Sequence, residues 1–230
     1  MHDFNVEKKF KRVIENDVFF STFSDEFKEI IKKKFHFRTY DKSQIIYFPQ
    51  EKITHIYIVH SGKIRITRVS ETGKKVTFRH VIAGDIFGDE ILLGKKKREE
   101  YAESLIKSGI WIIPVYDFIK IIEENNTFSK LYAEKLLKRC KEYEETIADN
   151  ILYNAIKQLA RRIIREIKRE ATPTKKLIIT HQELANLLGI RRETITVCLT
   201  ILEKEGFIEK GKGSIIIKNQ SSFENWIEKT

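Results

Sequence analysis

Residues 181–200 read HQELANLLGIRRETITVCLT, and this window carries the clearest structural pattern in the chain. Ala185 stands where two crossing helices come too close for a larger side chain, and Gly189 stands where a tight turn between them favours positive φ. Apolar residues occupy the five positions that would face a shared core: Leu184, Leu188, Ile190, Ile195 and Cys198. The pattern predicts a helix-turn-helix whose second helix runs from about Arg191 to Lys204.

The residues on either side of this window predict a capped first helix and a hairpin after the second. Thr180 is a candidate N-cap, and Glu183, three residues later, completes a capping box. Phe207–Ile208 and Ser214–Ile217 are two predicted strands around the run Lys210-Gly211-Lys212-Gly213. Together these features predict a winged helix-turn-helix with a basic wing.

The start of the second helix carries side chains that can read base edges. An arginine can donate two hydrogen bonds to guanine, and a carboxylate can accept one from cytosine. Phosphate would repel an exposed carboxylate without such a role, so Glu193 indicates base reading; for Arg191 a phosphate contact or a solvated charge is favoured. Lys212 in the wing suits a neighbouring phosphate. The candidate contacts from this helix and the wing are Arg191, Arg192, Glu193, Thr194, Thr196 and Lys212.

The charge of the chain fits a polyanionic partner without requiring one. The formal net charge is +10. Residues 151–230 carry 15 Lys/Arg against 9 Asp/Glu, a net charge of +6, whereas the first 150 residues carry 28 against 24, a net charge of +4. Positive charge is therefore denser around the helix-turn-helix, which is typical of a domain that contacts the phosphates of duplex DNA. Charge alone does not decide the matter, because Lys-rich sequences are often simply basic.

The rest of the chain divides by its hydrophobic period. Residues 4–34 repeat apolar side chains at helical spacing. From about Tyr40 to Val115 the period changes to two, with frequent glycine turns, which predicts an antiparallel sandwich or jelly roll. Its clearest alternation is carried by Ile56, Ile58, Ile64 and Ile66. A long helix is predicted from about Thr127 to Leu152, and another from Ala155 to Arg169, stopped before Thr172-Pro173.

The long helix carries a narrow apolar stripe. A stripe this narrow is typical of a two-stranded coiled-coil seam, which predicts a homodimer; a helix packed on the sandwich is the open alternative. Residues Asn150 to Asn154 are a candidate hinge. The members of the stripe are Leu131, Leu137, Cys140, Ile147 and Ile151. The predicted fold class is α+β, with a sensor domain over 1–126, a dimerisation helix and hinge over 127–153, and a winged helix-turn-helix domain over 154–230.

Several other classes of protein find no support in the sequence. No apolar run reaches the roughly 18 residues of a transmembrane helix, and the charged N-terminus does not match a signal peptide, so the expected location is the cytoplasm, with no membrane partner. Cys140 and Cys198 lie far apart and the histidines share no spacing, so we expect no metal site and no cofactor. Without a nucleophile–base constellation, a phosphate-binding glycine loop or an HExxH motif, we do not expect an enzyme.

The order of sandwich, long helix and winged helix-turn-helix resembles the Crp/Fnr superfamily of bacterial transcriptional regulators. The matching motifs are Gly62-Lys63, Gly84-Asp85, Gly88-Asp89-Glu90, Arg192-Glu193-Thr194 and the wing glycines. The resemblance implies a homodimer on a pseudo-palindromic operator, with recognition helices in successive major grooves and a ligand pocket in the jelly roll. It implies that Arg192 and Glu193 read bases and that Thr180, His181 and Gln182 lie near DNA phosphates. It also makes RNA polymerase a further candidate partner.

The sequence departs from the family at two places. The family's second base-reading arginine falls on Val197, so the operator need not follow the family consensus. In cyclic-AMP-binding members an Arg-Ser pair holds the phosphate, whereas here Glu100 and Tyr101 take its place and Arg98 comes two residues earlier. A carboxylate there would repel a phosphate, so we expect a different small-molecule effector or none. The implied pocket residues are Gly88, Asp89, Glu90, Arg98, Glu100, Tyr101, Tyr143 and Glu144.

Two further alternatives stay open at this point. The run Lys95–Arg98 could attract an anion, although a solvated loop is favoured. The chain could also be a sensor-only regulatory subunit whose C-terminal domain binds a protein partner. Arg192, Glu193 and the basic wing count against that function, and a salt-dependent shift with random duplex DNA would separate the two.

Overall fold

The computed structural model describes residues 34–170 and 174–229. The helices predicted within residues 4–33 and the proposed stop at Thr172-Pro173 lie outside these ranges. The described residues form two compact units: the first comprises 34–74 and 78–138, and the second comprises 75–77, 139–170 and 174–229. Each unit has its own buried core, as chains of this length allow.

The described chain consists of a strand-rich first part and a helix-rich second part. The strands are β1 His36–Tyr40, β2 Ile45–Tyr47, β3 His55–Ser61, β4 Lys63–Val69, β5 Lys75–Ile82, β6 Ile86–Phe87, β7 Tyr101–Ser104, β8 Ser108–Pro114, β9 Lys176–Ile178, β10 Ile208–Gly211 and β11 Ser214–Ile217. The helices are α1 Val115–Glu124, α2 Asn126–Leu152, α3 Ala155–Glu170, α4 His181–Leu188, α5 Arg192–Lys204 and α6 Gln220–Lys229, with a short 3-10 helix over Glu90–Leu93.

Two four-stranded sheets form the β-rich first unit, in the orders β1-β8-β3-β6 and β2-β7-β4-β5. The pairs β1–β8, β3–β8, β3–β6, β2–β7 and β4–β7 are antiparallel. This arrangement confirms the predicted β domain. Gly62, with φ of 98°, joins β3 to β4, and a Cβ there would lie 2.1 Å from Ser108 Oγ. Backbone conformation and space both require glycine at this turn.

Strand β3 is buried on both faces. Ile56 and Ile58 pack in one apolar cluster with Phe118 of α1 and Phe128 of α2. Tyr57 and the other alternate residues pack in a second cluster with side chains from both sheets: Val59, Ile64, Ile66, Phe87, Ala102 and Ile110. The period of two thus separates two apolar faces, because helices cover the side of the sheet that would otherwise meet water.

The long helix α2 changes character along its length. Phe128 and Tyr132 are buried in the apolar cluster that also contains Ile56 and Ile58 of β3. Leu131 packs against this cluster. The first turns of the helix therefore pack on the sandwich, as the alternative had it, and the place of Leu131 in a dimer seam stays a prediction. From Leu137 onwards the apolar side chains are exposed, with exposed fractions of 70% at Leu137, 59% at Ile147 and 76% at Ile151. Cys140 is exposed as well.

The second unit is built around the helix-turn-helix. Its core joins residues of α3, α4, α5 and α6 to a three-stranded sheet in the order β10-β11-β9. Helix α2 continues to Leu152 and α3 begins at Ala155, so the break is narrower than the predicted hinge of Asn150 to Asn154. Asn154 caps the new helix by accepting a hydrogen bond from the backbone N–H of Lys157 at 3.1 Å.

Ion pairs join the last turns of α2 to α3. The Asp149 carboxylate is 3% exposed; it accepts a hydrogen bond from Arg161 Nε at 2.6 Å and lies 2.7 Å from an Arg165 terminal nitrogen. Arg165 also lies 3.8 Å from a Glu145 oxygen, and Arg169 lies 3.7 Å from Glu142. The three arginines are four residues apart and therefore share one face of α3, which meets one acidic face of α2.

Candidate nucleic-acid interface and sensor site

The turn of the helix-turn-helix has the predicted local geometry. The Thr180 hydroxyl accepts a hydrogen bond from the backbone N–H of Glu183, while the Glu183 carboxylate accepts one from the Thr180 N–H at 2.6 Å. This reciprocal capping box fixes the first residue of α4. At the other end Gly189 adopts a left-handed conformation with φ of 68°, which a residue with a Cβ adopts only at a cost.

Helix α5 presents its first turn to solvent. Arg191 is the N-cap in an extended conformation, and Arg192 and Glu193 are exposed in the first turn. Thr194 is half-buried, and Thr196 and Val197 are exposed on the next turn. The opposite face holds Ile195, Cys198, Leu199 and Leu202, all buried in the core. The sequence therefore divides α5 into a packing face and an outward face that begins with two charges of opposite sign.

His181 and Thr196 connect the two helices of the motif. His181 Nδ1 lies 2.9 Å from the Thr196 hydroxyl, which also donates to the carbonyl of Arg192 at 3.1 Å. Partial burial lowers the pKa of His181, and the neighbouring charges of Lys210 and Arg192 lower it further. Gln182 is exposed, and its amide donates to Asn186 at 3.0 Å. The start of α4 thus lies against α5 through this contact, and its imidazole feels the charges of Lys210 and Arg192.

The wing is tied to the recognition helix by a lysine that the sequence pattern did not single out for this role. Lys210 Nζ lies 2.9 Å from the Glu203 carboxylate and donates to the Thr200 hydroxyl at 3.1 Å. Strand β10 extends to Gly211, so the first part of the predicted basic turn is strand. The turn is formed by Lys212 and Gly213, and Lys212 is exposed. No sequence pattern pairs this strand lysine with polar residues on the last turns of α5, so the contact could not be predicted from the sequence.

A buried arginine organises the predicted sensor site in the first unit. The Arg98 side chain is 2% exposed, and its guanidinium lies 4.3 Å from the centroid of the Tyr47 ring. It donates to the carbonyl of Gly88 at 2.6 Å, to the Glu90 carboxylate at 2.8 Å and to the carbonyl of His55. A Cβ at Gly88, which has φ of 74°, would lie 2.7 Å from this guanidinium. Glycine therefore allows the close approach of Arg98.

Two carboxylates lie beside Arg98. Burial raises the pKa of Glu90, the Arg98 charge opposes this shift, and the neighbouring Glu100 carboxylate adds to it. Glu100 is itself buried and accepts a hydrogen bond from Arg68 at 2.7 Å. One polar cluster thus contains Gly88, Glu90, Arg98 and Glu100. The expectation of a solvated Lys95–Arg98 loop is wrong at Arg98, because this side chain turns inward and replaces water with protein acceptors.

The other predicted pocket residues lie outside this cluster. Asp89 accepts a hydrogen bond from the Tyr132 hydroxyl of α2 at 2.8 Å, which gives it a partner within the first unit. Tyr101 packs edge-on against Phe48, with 5.8 Å between ring centroids. Tyr143 is 38% exposed and belongs to the second unit, as does Glu144, which lies 3.3 Å from Lys141. Within the described ranges no group of three or more His, Cys, Asp or Glu side chains is placed to hold a metal ion.

Two family models divide the chain as the fold does. The model of the cyclic nucleotide-binding domain matches residues 37–125, and that of the Crp-like helix-turn-helix domain matches residues 157–226. The chain belongs to the Crp/Fnr superfamily. Membership makes it a Crp/Fnr-type transcriptional regulator with a DNA-binding helix-turn-helix.

Relatives of this Crp/Fnr protein cover most of its length. The cyclic AMP receptor protein of Thermus thermophilus is 24% identical over 190 residues, which are 83% of this chain and 87% of the relative. A global nitrogen regulator of a Synechocystis species is 22% identical over 188 residues, 79% of this chain and 84% of the relative. The structure of FixK2 from Bradyrhizobium japonicum shares the fold, with a TM-score of 0.74 at 18% identity over 83% of this chain and 96% of that one.

Among the helices that the structure describes, none is both long enough and apolar enough to cross a membrane.

Helix α6, which was not predicted from the sequence, packs on the core of the second unit of this Crp/Fnr protein. Phe223 and Ile227 are buried, and Phe207 stacks against Phe223 with 5.2 Å between ring centroids. Phe223, Trp226 and Ile227 follow helical spacing, and that spacing would have revealed the helix.

Proposed function

We propose that this chain is a homodimeric regulator that binds a pseudo-palindromic operator and reads its bases through the first turn of α5. The observation that carries the proposal is the exposed pair Arg192 and Glu193 in the first turn of a helix whose other face is buried. Arginine and carboxylate together suit a guanine and a cytosine in the major groove. Thr180, His181 and Gln182 at the start of α4, with Arg191 and Lys212, are then the proposed phosphate contacts.

The test compares specific with non-specific binding. An operator is selected from random duplexes with the full chain, and dissociation constants are measured by fluorescence anisotropy on this operator and on a scrambled duplex. Arg192→Ala is expected to cost about 1–3 kcal/mol on the operator and to relax one base pair per half-site. Lys212→Ala is expected to weaken both duplexes alike and to flatten the salt slope by about one.

Lys204→Ala is the control, because Lys204 is an exposed lysine at the far end of the same helix. It should leave both dissociation constants within about twofold of the wild type, as surface changes away from a contact do. Equal losses from Arg192→Ala on the operator and on the scrambled duplex would show that Arg192 does not read a base. Absence of any salt-dependent DNA binding would favour a protein partner for the C-terminal domain.

The proposed homodimer rests on the exposed apolar stripe of α2. Leu137, Cys140, Ile147 and Ile151 follow one another at steps of three, seven and four residues, which are spacings of a coiled-coil seam. The exposed fractions of Leu137, Ile147 and Ile151, all above one half, are what a side chain shows when the surface that covers it belongs to a second molecule. Two recognition helices on a two-fold axis would then meet half-sites whose centres lie about 34 Å apart.

We further propose that the regulator responds to an effector other than cyclic AMP, or to none. Arg98, which comes two residues before the position of the family's phosphate-holding pair, already donates to Gly88, Glu90 and His55. The buried Glu100 carboxylate would lie near any phosphate and repel it. Calorimetry with cyclic AMP should therefore show no binding tighter than about 1 mM. A micromolar dissociation constant that is lost in Arg98→Ala would contradict this proposal.

A further inference from the structure

The outward face of α5 changes from polar to apolar after its first turn. Val197 is 59% exposed and Ile201 is 41% exposed, although Ile195, Cys198, Leu199 and Leu202 of the same helix are buried. Val197 follows Glu193 by four residues, so the two side chains are neighbours on one face of the helix. Packing of the second unit therefore does not explain an apolar residue at position 197.

The hydroxyl groups beside this apolar pair are engaged within the unit. The Thr196 hydroxyl contacts His181 and donates to the Arg192 carbonyl. The Thr200 hydroxyl donates to the Thr196 carbonyl at 2.9 Å and accepts a hydrogen bond from Lys210. Since both hydroxyl protons are used within the unit, Val197 and Ile201 supply the apolar surface of the outward face beyond the first turn.

We propose that Val197 determines operator specificity by packing against the 5-methyl group of a thymine. The inference rests on the proposed function, since it requires α5 to lie in the major groove. The thymine methyl is the apolar feature that base edges display there, and small apolar side chains recognise it by contact. An exposed β-branched side chain is well suited to such a contact, because it holds few rotamers and loses little freedom when it packs.

The position of the thymine follows from the geometry of the helix. Four residues of an α-helix rise about 6 Å, which corresponds to about two base-pair steps of B-DNA. The thymine should therefore lie about two base pairs from the one that Glu193 contacts, once in each half-site. Val197 would then read a position where the arginine found in other members of the superfamily would read guanine.

The experiment removes only the 5-methyl group of a thymine and leaves the rest of the base unchanged. Each thymine of the selected operator is replaced in turn, in both half-sites, by deoxyuridine, and the dissociation constant is measured for the wild type, Val197→Ala and Ile201→Ala. Ile201→Ala is the matched control: it also shortens an exposed apolar side chain of α5. We expect one position at which deoxyuridine weakens wild-type binding about three- to fivefold per half-site. At that position Val197→Ala should be insensitive to the exchange, whereas Ile201→Ala should behave like the wild type.

Three results would overturn this proposal alone. If deoxyuridine weakens wild-type binding at no position, no thymine methyl is read. Equal losses in the wild type and in Val197→Ala would assign the methyl contact to another residue, and loss of sensitivity only in Ile201→Ala would assign it to Ile201. Each of these results requires an operator and so leaves the proposed function intact. Failure to select any operator would overturn both the proposed function and this proposal. Thermal unfolding of the variants at the wild-type temperature confirms that they fold.

Discussion

His181 shows how a single side chain links the fold of this protein to its proposed interface. Its ring contacts the Thr196 hydroxyl across the two helices of the motif, and burial together with Lys210 and Arg192 lowers its pKa. An ordinary histidine has a pKa of about 6.5, so a lowered value leaves the imidazole neutral at neutral pH in the free protein. A nearby DNA phosphate would favour the charged form and raise this pKa.

The sign of the pH dependence follows from these two shifts. Between the lowered pKa of the free protein and the raised pKa of the complex, binding takes up a proton, so operator affinity should increase as the pH falls from about 8 to about 6. His181→Gln retains a polar side chain and should remove most of this dependence. Anisotropy titrations at constant ionic strength measure it. The same pH dependence in His181→Gln and in the wild type would exclude a phosphate contact by His181.

At the scale of single residues, contacts between neighbouring positions in the sequence could be predicted, and contacts between different elements of the fold could not. Thr180, Glu183 and Gly189 could be assigned from the sequence because a capping box and a left-handed turn depend on residues three or four positions apart. The contacts of Arg98 and Lys210 could not be assigned from the sequence. Their partners, such as His55 for Arg98, come from strands or helices that only the folded chain brings close. Sequence spacing carries no record of such contacts.

Among the secondary-structure elements, the junction of α2 and α3 carries a concentration of buried charge. Asp149 pairs with Arg161 and Arg165, and these contacts join the last turns of α2 to α3. Asp149→Asn would leave two arginines facing a neutral amide. We expect it to lower the free energy of unfolding by about 2–3 kcal/mol, less than for a fully buried pair because both arginines keep some exposure.

Urea unfolding followed by circular dichroism measures this difference. The control is Glu144→Gln, an exposed carboxylate on the same helix that pairs with Lys141 at the surface. It should change the free energy of unfolding by no more than about 0.5 kcal/mol. Equal stability of Asp149→Asn and Glu144→Gln would show that the ion pairs at the junction do not stabilise it.

The elements themselves were more predictable than the surfaces that they bury. Periods of 3.6 and 2 revealed α2 and the strands, but the stripe of α2 contained residues in two different surroundings. Leu131 packs on the sandwich, whereas Leu137 is exposed. A hydrophobic period reports that a face is apolar and not which surface covers it.

At the scale of the whole molecule, the exposed stripe of α2 predicts the oligomeric state. Leu137→Glu combined with Ile147→Glu should convert a dimer into monomers of 27.2 kDa, because charges in a seam lose hydration without gaining partners. Sedimentation velocity at micromolar concentration measures the change. Lys138→Glu reverses an exposed charge beside the stripe and should leave the dimer intact. A monomeric wild type under these conditions would contradict the proposed dimer.

Recognition of specific bases by a dimer through α5 is tested most directly by selection of duplexes with the full chain. From a random duplex library, we expect enrichment of a pseudo-palindrome whose half-site centres lie one helical turn, about 34 Å, apart. The same selection with Arg192→Ala should return a motif relaxed at one base pair per half-site. Enrichment of no motif, or of the same motif by both proteins, would contradict base reading through this helix.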